Sequence, residues 1–306
     1  MGRFMSARHA GMEMRVIKLK MSDPKVQQEL LSAPFHRWSS EDGSDWCFFY
    51  RFDSEYLLRF PDLADFSINS PTLDIMCSPV PGVSGAVLTQ LYFNQILPLV
   101  QSHSGELVFH ASAIVVDELA IAFVGVSGRG KSTLAASFSS NDYKFLTDDG
   151  LLVKRVGGVY QVNPSHPSIR LWEDSQAAIL GTDAQSEAPL DYTSKLRFPA
   201  SDKILHYDKP CPLHRVYFLG DSETSEITFT KLSPQEAMVE LIKHSFILDV
   251  VDRKIMAKHF DAISKISSLD NFYRLDYPRN YDELANVRRI ILEHAGLSNK
   301  KLASNA

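Results

Sequence analysis

The sequence predicts an α/β fold built around a phosphate-binding loop, with a smaller β-rich region before it and helices after it. Three observations lead there. The stretch Gly125-Val-Ser-Gly-Arg-Gly-Lys-Ser-Thr133 fits G-x-x-x-x-G-K-[ST], a loop whose backbone N–H groups cradle phosphate oxygens. The apolar run Leu119–Val124 precedes it as a strand, and Thr133–Phe138 continues it as a helix. Another apolar run, Glu106–Val116, comes directly before that strand. The two form an antiparallel pair turning at Asp117, because a parallel crossover needs about a dozen intervening residues.

The remaining elements follow in chain order. Residues 1–15 lack the apolar core of a secretory signal and are expected to be disordered. Residues 16–82 form the N-terminal β-rich region. Asp45–Phe52, Tyr56–Phe60 and Leu73–Met76 are rich in aromatic and β-branched residues and separated by Asp, Ser and Pro. The breaker cluster Pro79-Val-Pro-Gly82 marks a domain edge. A second domain is expected over 83–298, opening with a mostly buried helix from Val83 to Ser102. Beyond the loop helix, Lys144–Thr147, Leu151–Arg155 and Val159–Val162 read as strands, the last two joined at Gly157-Gly158 as a hairpin. Ser233-Pro-Gln-Glu236 is a capping box opening a helix to about Phe246. Asp249–Ile266 and Tyr281–His294 read as two more helices, with a strand at Phe272–Asp276 between them. The tail 299–306 is expected to be disordered.

Composition excludes several classes of function. A net charge of −5 lacks the basic surplus of a nucleic-acid binder. No apolar stretch approaches the ~20 residues of a membrane span. Cys47, Cys77 and Cys211 are scattered and form no C-x-x-C pair, which favours free thiols in a reducing, cytoplasmic setting.

Each residue type in the loop has a chemical reason. Gly125, Gly128 and Gly130 are expected to take positive φ and bring N–H groups close to phosphate. Lys131 places a point charge on the β/γ-phosphates and the Ser132 hydroxyl is a candidate Mg²⁺ ligand. The helix N-terminus adds its positive end. Gly125, Ser127, Gly128, Arg129, Gly130, Lys131, Ser132 and Thr133 are therefore the expected nucleotide contacts, with Arg129 facing either phosphate or solvent. Downstream, Phe145-Leu-Thr-Asp-Asp-Gly150 ends an apolar strand in two carboxylates. One can hold Mg²⁺ and the other can take a proton from an attacking hydroxyl. An Asp-Asp-Gly turn is also common at strand ends.

His110-Ala-Ser112, Gly125–Thr133 and Thr147-Asp-Asp149, in this order and spacing, resemble the kinase domain of HPr kinase/phosphorylase, which phosphorylates a serine of a small carrier protein. The resemblance implies a mixed-sheet α/β core akin to phosphoenolpyruvate carboxykinase, with ATP and Mg²⁺ as cofactors. It extends to HPr kinase-like proteins of peptide-modification clusters through Tyr56–Phe60, Leu97-Pro98, Phe109–Ala113, Pro167–Trp172 and the Leu232-Ser-Pro helix start. Members near lasso-peptide genes phosphorylate the C-terminal serine of a precursor peptide. The chain lacks the Glu-x-Arg-Gly segment of HPr kinase proper, with Ile169–Glu173 as the nearest region. Carrier-protein recognition, phosphorolysis and the hexamer are therefore not carried over, and a homo-oligomer stays open.

By this resemblance Lys131 and Ser132 hold phosphates and Mg²⁺; Asp148 is taken as the metal-side carboxylate and Asp149 as the base, with the reverse order left open because sequence gives no geometry. His110 orients Asp149 or contacts the γ-phosphate, the plain alternative being a satisfied core histidine. Arg170 and Lys195 neutralise transition-state charge, grip an acidic peptide end, or are surface cations. Lys195 follows an acidic loop, Asp183–Asp191, expected to be mobile, and Trp172 is expected in the core. The expected activity is transfer of the γ-phosphate of ATP to a serine of a peptide or small protein. The competing readings are a nucleotide-binding regulatory or assembly protein and a small-molecule kinase on the same scaffold. A mere binder has no use for the second carboxylate.

Overall fold

The computed structural model describes residues 17–40, 42–184, 186, 195–220 and 224–297. The expectations for 1–15, for 299–306 and for most of 183–191 lie outside them. The chain divides into two compact units, 1–88 and 89–306.

The first unit is a six-stranded sheet of β1 (Leu19–Met21), β2 (His36–Ser39), β3 (Asp45–Phe52), β4 (Glu55–Phe60), β5 (Ala64–Asn69) and β6 (Ile75–Pro79), in the order β1-β6-β5-β4-β3-β2. Strands β3 and β4 lie where the aromatic runs predict them. Strand β5 carries Asp65, Ser67 and Asn69 between its apolar residues and does not read as a strand in isolation. The buried Asp65 is tolerated because Arg59 grips it with two hydrogen bonds, of 2.9 and 2.7 Å. Leu73, expected in a strand, instead has φ 62° and closes the turn into β6.

The helical segment predicted from Val83 consists of α1 (Gly85–Leu91), a π-helical stretch (Tyr92–Ile96) and α2 (Leu97–His103). The second unit then runs β7 (Leu107–Phe109), β8 (Ala111–Val116), β9 (Leu119–Val124), α3 (Lys131–Ser139), β10 (Lys144–Thr147), β11 (Leu151–Val156), β12 (Val159–Asn163), β13 (Ser168–Leu171), α4 (Glu173–Leu180), β14 (Leu196–Pro199), β15 (Cys211–Leu219), β16 (Thr228–Lys231), α5 (Pro234–Lys243), α6 (Arg253–Ser267), β17 (Phe272–Asp276), a 3₁₀ turn (Tyr281–Glu283) and α7 (Leu284–Ala295). The predicted β8–β9 hairpin is present, with Asp117 and Glu118 both at positive φ. That is the primed turn geometry whose twist matches the strands it joins. The predicted capping box is also present. Ser233 accepts from the Glu236 amide while Glu236 accepts from the Ser233 amide.

The single strand expected over 106–116 is broken at His110. Its first half, β7, leaves β8 and pairs with β11, and the chain following α5 bridges it at Phe109–Ser245. The helix expected to reach Phe246 therefore ends at Lys243, because the next three residues are needed for that pairing.

Strand β9 lies between β8, antiparallel, and β15, parallel; β15 pairs in parallel with β17, and β10 is antiparallel to β8. The sheet is mixed. Alternation along β9 shows that both faces are buried. Ile121 and Phe123 pack with Leu134 and Phe138 of α3 and Val287 and Ile291 of α7. Ala120, Ala122 and Val124 pack with Leu241 of α5 and Ile263 of α6. A strand covered on both sides has no polar face, which is why this segment reads as a continuous apolar run.

The topology delivers one sheet edge. The C-terminal ends of β9, β10, β15 and β17 and the N-terminal end of β8 all emerge there. Ligands of α/β sheets bind where parallel strands present their carboxyl ends.

Candidate active site

The loop leaves β9 at Gly125 and enters α3 at Lys131. Gly128 and Gly130 take φ 81° and 88°, as expected. Gly125 does not. A Cβ there would make only an ordinary contact, 3.4 Å from the Leu219 Cβ. The loop tip, Val126 to Gly128, is exposed, whereas Lys131 and Ser132 are buried. The Lys131 ammonium donates to the carbonyls of Gly125 at 2.7 Å and Val126 at 3.0 Å. Burial, together with Lys195 and Arg170, lowers its pKa to about 8 against the opposing pull of the two aspartates.

The two carboxylates at the end of β10 do different things. Asp148 accepts from three neutral donors: Ser112 Oγ at 2.6 Å, Ser132 Oγ at 2.8 Å and the Arg170 backbone N–H at 2.9 Å. Burial and the neighbouring charge of Asp149 push its pKa up. Asp149 takes the cation. Arg170 Nε donates to its Oδ2 at 2.7 Å, and a second guanidinium nitrogen reaches the same oxygen. Burial would raise the Asp149 pKa, but Arg170, His110 and Lys195 outweigh it and hold the group well below the usual carboxylate range. The turn that separates these environments puts Asp149 at φ 66°, a left-handed conformation that Asp tolerates better than most residues. Thr147 secures it, its hydroxyl bridging the Gly150 carbonyl and Ser165 Oγ, each at 2.7 Å.

His110 completes the cluster from the break between β7 and β8. Its amide donates to the His244 carbonyl at 2.7 Å, its ring packs edge-on to Phe246, and its Nε2 lies 3.8 Å from Asp149 Oδ1. Desolvation and the cations of Lys131, Arg170 and Lys195 push the imidazole down to about 3, against Asp149. With 33% of the side chain open to solvent, water reaches the ring and tempers that depression.

His110, Lys131, Ser132, Asp148, Asp149 and Arg170 thus converge. Lys195 stands at the rim, its ammonium over the Trp172 ring at 5.6 Å. Trp172 is a correction to the sequence reading. It is 40% exposed and lines the cleft beside the loop instead of the core. Sequence reasoning also missed Ser112 as a partner of Asp148, and the Tyr277–Tyr281 segment. Arg279 donates to the Arg129 carbonyl and, at 2.8 Å, to the Gly220 carbonyl, tying β17 to the loop. The only available signal was Tyr277-Pro278-Arg279 directly following an apolar strand.

Ser132 Oγ and Asp148 Oδ1 are hard oxygen donors 2.8 Å apart. That separation matches the edge of an octahedron with Mg–O bonds of 2.0–2.1 Å, about 2.9 Å. The residues present fit Mg²⁺ completed by phosphate oxygens and water. Among the described residues no group of three or more His, Cys, Asp or Glu side chains could hold a metal alone. No described helix is long and apolar enough to cross a membrane.

No family model matches the chain, and no curated protein is similar to it. Among solved structures it is similar to the HPr(Ser) kinase/phosphatase from Coxiella burnetii, at 13% identity over 61% of this chain and 93% of that one, with a TM-score of 0.31. That likeness is distant in sequence and in shape, and nothing about the chemistry follows from it.

Proposed function

We propose that this protein is an ATP- and Mg²⁺-dependent kinase that phosphorylates a serine hydroxyl of a peptide or small protein, the acceptor class being a ribosomal peptide precursor of the lasso type. One observation carries the reading. Two adjacent carboxylates beside a phosphate loop are split into a metal-side group, bonded to the loop serine, and a second, buried group turned to His110 and Arg170. A protein that only binds nucleotide needs the first and not the second.

The residues divide the work accordingly. Loop N–H groups and Lys131 hold the phosphate chain, exchanging the Gly125 and Val126 carbonyls for phosphate oxygens at the ammonium. Ser132 and Asp148 hold Mg²⁺, which when bound neutralises charge on the β- and γ-phosphates. Asp149 orients the acceptor hydroxyl and takes its proton. Its depressed pKa makes it a weak base in the resting arrangement. Arg170 is the group that changes this, because a guanidinium drawn toward developing phosphoryl charge releases Asp149 and lets its pKa rise. Phosphoryl transfer needs little covalent help, so positioned charge supplies most of the rate.

The test is incubation with ATP, Mg²⁺ and a candidate serine-ended precursor peptide, read by mass. The wild type adds one phosphate, and Asp149→Asn loses transfer by at least about 10²-fold while still binding ATP. Undiminished transfer by Asp149→Asn removes the base assignment. Tight ATP binding with no transfer to any serine-ended peptide favours a regulatory protein instead.

A further inference from the structure

The phosphate loop accounts for one end of a nucleotide and leaves the nucleoside end to be placed. We infer that the cleft between α4 and the Tyr277–Tyr281 segment is the nucleoside site, with Trp172 and Tyr281 as its aromatic walls. This rests on the nucleotide-binding reading of the loop.

Direction comes first. Ser132 turns to Asp148, which fixes the metal and γ-phosphate end. The next residue, Thr133, turns to α4, its Oγ1 lying 3.2 Å from Ser175 Oγ. From there the hydroxyls continue outward. Ser175 Oγ is 3.0 Å from Tyr281 Oη, which donates to Asp174 at 2.7 Å. A phosphate chain running along the loop N–H groups away from Asp148 therefore opens into a cavity of about 200 Å³ between these residues.

The chemistry of its walls fits a base and a ribose. Trp172 and Tyr281 are 40% and 37% exposed, large aromatic side chains left open to water inside a concavity. A π-face open to solvent accepts a base by stacking with little regard to its identity. The Lys195 ammonium lies over the Trp172 ring, and the Arg279 guanidinium lies 4.1 Å from the Tyr277 ring centroid. These place positive charge along the route of the α-phosphate. Asp174 supplies a carboxylate, already engaged by one hydroxyl, that can accept another from the sugar.

The experiment titrates the full chain with Mg-ATP and with Mg-tripolyphosphate, which carries the phosphates without the nucleoside. Wild type binds ATP more tightly than tripolyphosphate. Trp172→Ala and Tyr281→Ala each weaken ATP by about tenfold and leave tripolyphosphate within about twofold. Trp172→Phe and Tyr281→Phe keep the π-faces and retain most ATP affinity, which separates stacking from damage to the fold. ATP also quenches the indole emission that Trp172→Phe removes, and tripolyphosphate does not. Alanine variants that bind ATP as wild type does, or lose both ligands equally, overturn the inference while the phosphate-loop reading stands. A wild type that binds neither ligand overturns the loop reading, and this inference with it.

Discussion

Gly130→Ala tests how the phosphate loop is held. Gly130 sits at φ 88°, and a Cβ placed there would lie 2.5 Å from the Tyr277 hydroxyl and 3.3 Å from an Arg279 guanidinium nitrogen. Two separable penalties follow. The left-handed backbone costs an L-residue about 1–2 kcal/mol. The collision costs about 1–3 kcal/mol of overpacking, because Tyr277 is only 3% exposed and packs with the α3 and α7 core. The sum, about 2–5 kcal/mol, is a large part of the stability of an ordinary domain. Tyr277→Phe isolates the second term. Removing the hydroxyl leaves the Cζ position, 3.8 Å from the new Cβ, as the nearest ring atom, an ordinary contact. In urea denaturation Gly130→Ala is therefore destabilised by the full amount, and Gly130→Ala/Tyr277→Phe recovers about 1–3 kcal/mol of it. ATP affinity falls in the single variant, because Arg279 must give way and it anchors the Arg129 carbonyl. A Gly130→Ala protein as stable as wild type refutes this account. So does a double variant with no recovery.

Other expectations follow from particular contacts. Asp148→Asn keeps acceptors for Ser112 and Ser132 but loses the metal-side charge. Mg²⁺ then strengthens ATP binding by less than in wild type, and equal enhancement in a titration with and without Mg²⁺ removes Asp148 from the metal site. For His110 the folded pKa, about 3, lies below the ordinary 6.5, so the unfolded chain binds the extra proton. Stability is unaffected above pH 6.5 and declines as pH falls from 6.5 toward 3. Between pH 7.5 and 5 the loss is about 1 kcal/mol once discounted for the exposed part of the ring. His110→Gln should remove that part of the slope in urea melts, and an unchanged slope counts against it. Ser233→Ala removes the cap of α5 and costs about 1 kcal/mol, read as a lowered melting temperature with ATP binding intact.

What was legible in the sequence is what local chemistry determines. The loop was readable because its glycines, lysine and serine are contiguous, and the capping box because it closes within three residues. The β8–β9 hairpin was readable because its turn leaves no room for a helix. Strand β15 was not readable, although it sits at the centre of the sheet. Pro212, His214 and Arg215 interrupt its apolar pattern, and only pairing with β9 and β17 makes its second half a buried strand. A glycine in such a loop suggests positive φ, and Gly125 departs from that pattern, since only Gly128 and Gly130 of the loop glycines are left-handed. Large aromatics usually go to the core, and nothing local to Trp172 reveals that a cleft opens beside it.

The two aspartates show most clearly what sequence leaves undetermined. They are adjacent, chemically identical and follow the same apolar strand, so the sequence does not order their roles. The fold distinguishes them through residues remote in sequence. Strand β8 brings Ser112 and α3 brings Ser132 to Asp148, while β13 sends the Arg170 side chain to Asp149 and its backbone N–H to Asp148. A positive φ at Asp149 turns its side chain away from its neighbour's partners. Neutral donors leave Asp148 with an excess of negative charge that a divalent cation would relieve, and a guanidinium leaves Asp149 neutralised until that guanidinium is drawn elsewhere. Exchanging the pair by Asp148→Asn or Asp149→Asn should therefore give unlike defects, the first in the Mg²⁺ dependence of binding and the second in transfer with binding intact. Identical defects in the two variants would mean that the carboxylates act as one charged unit and that the division of roles is wrong.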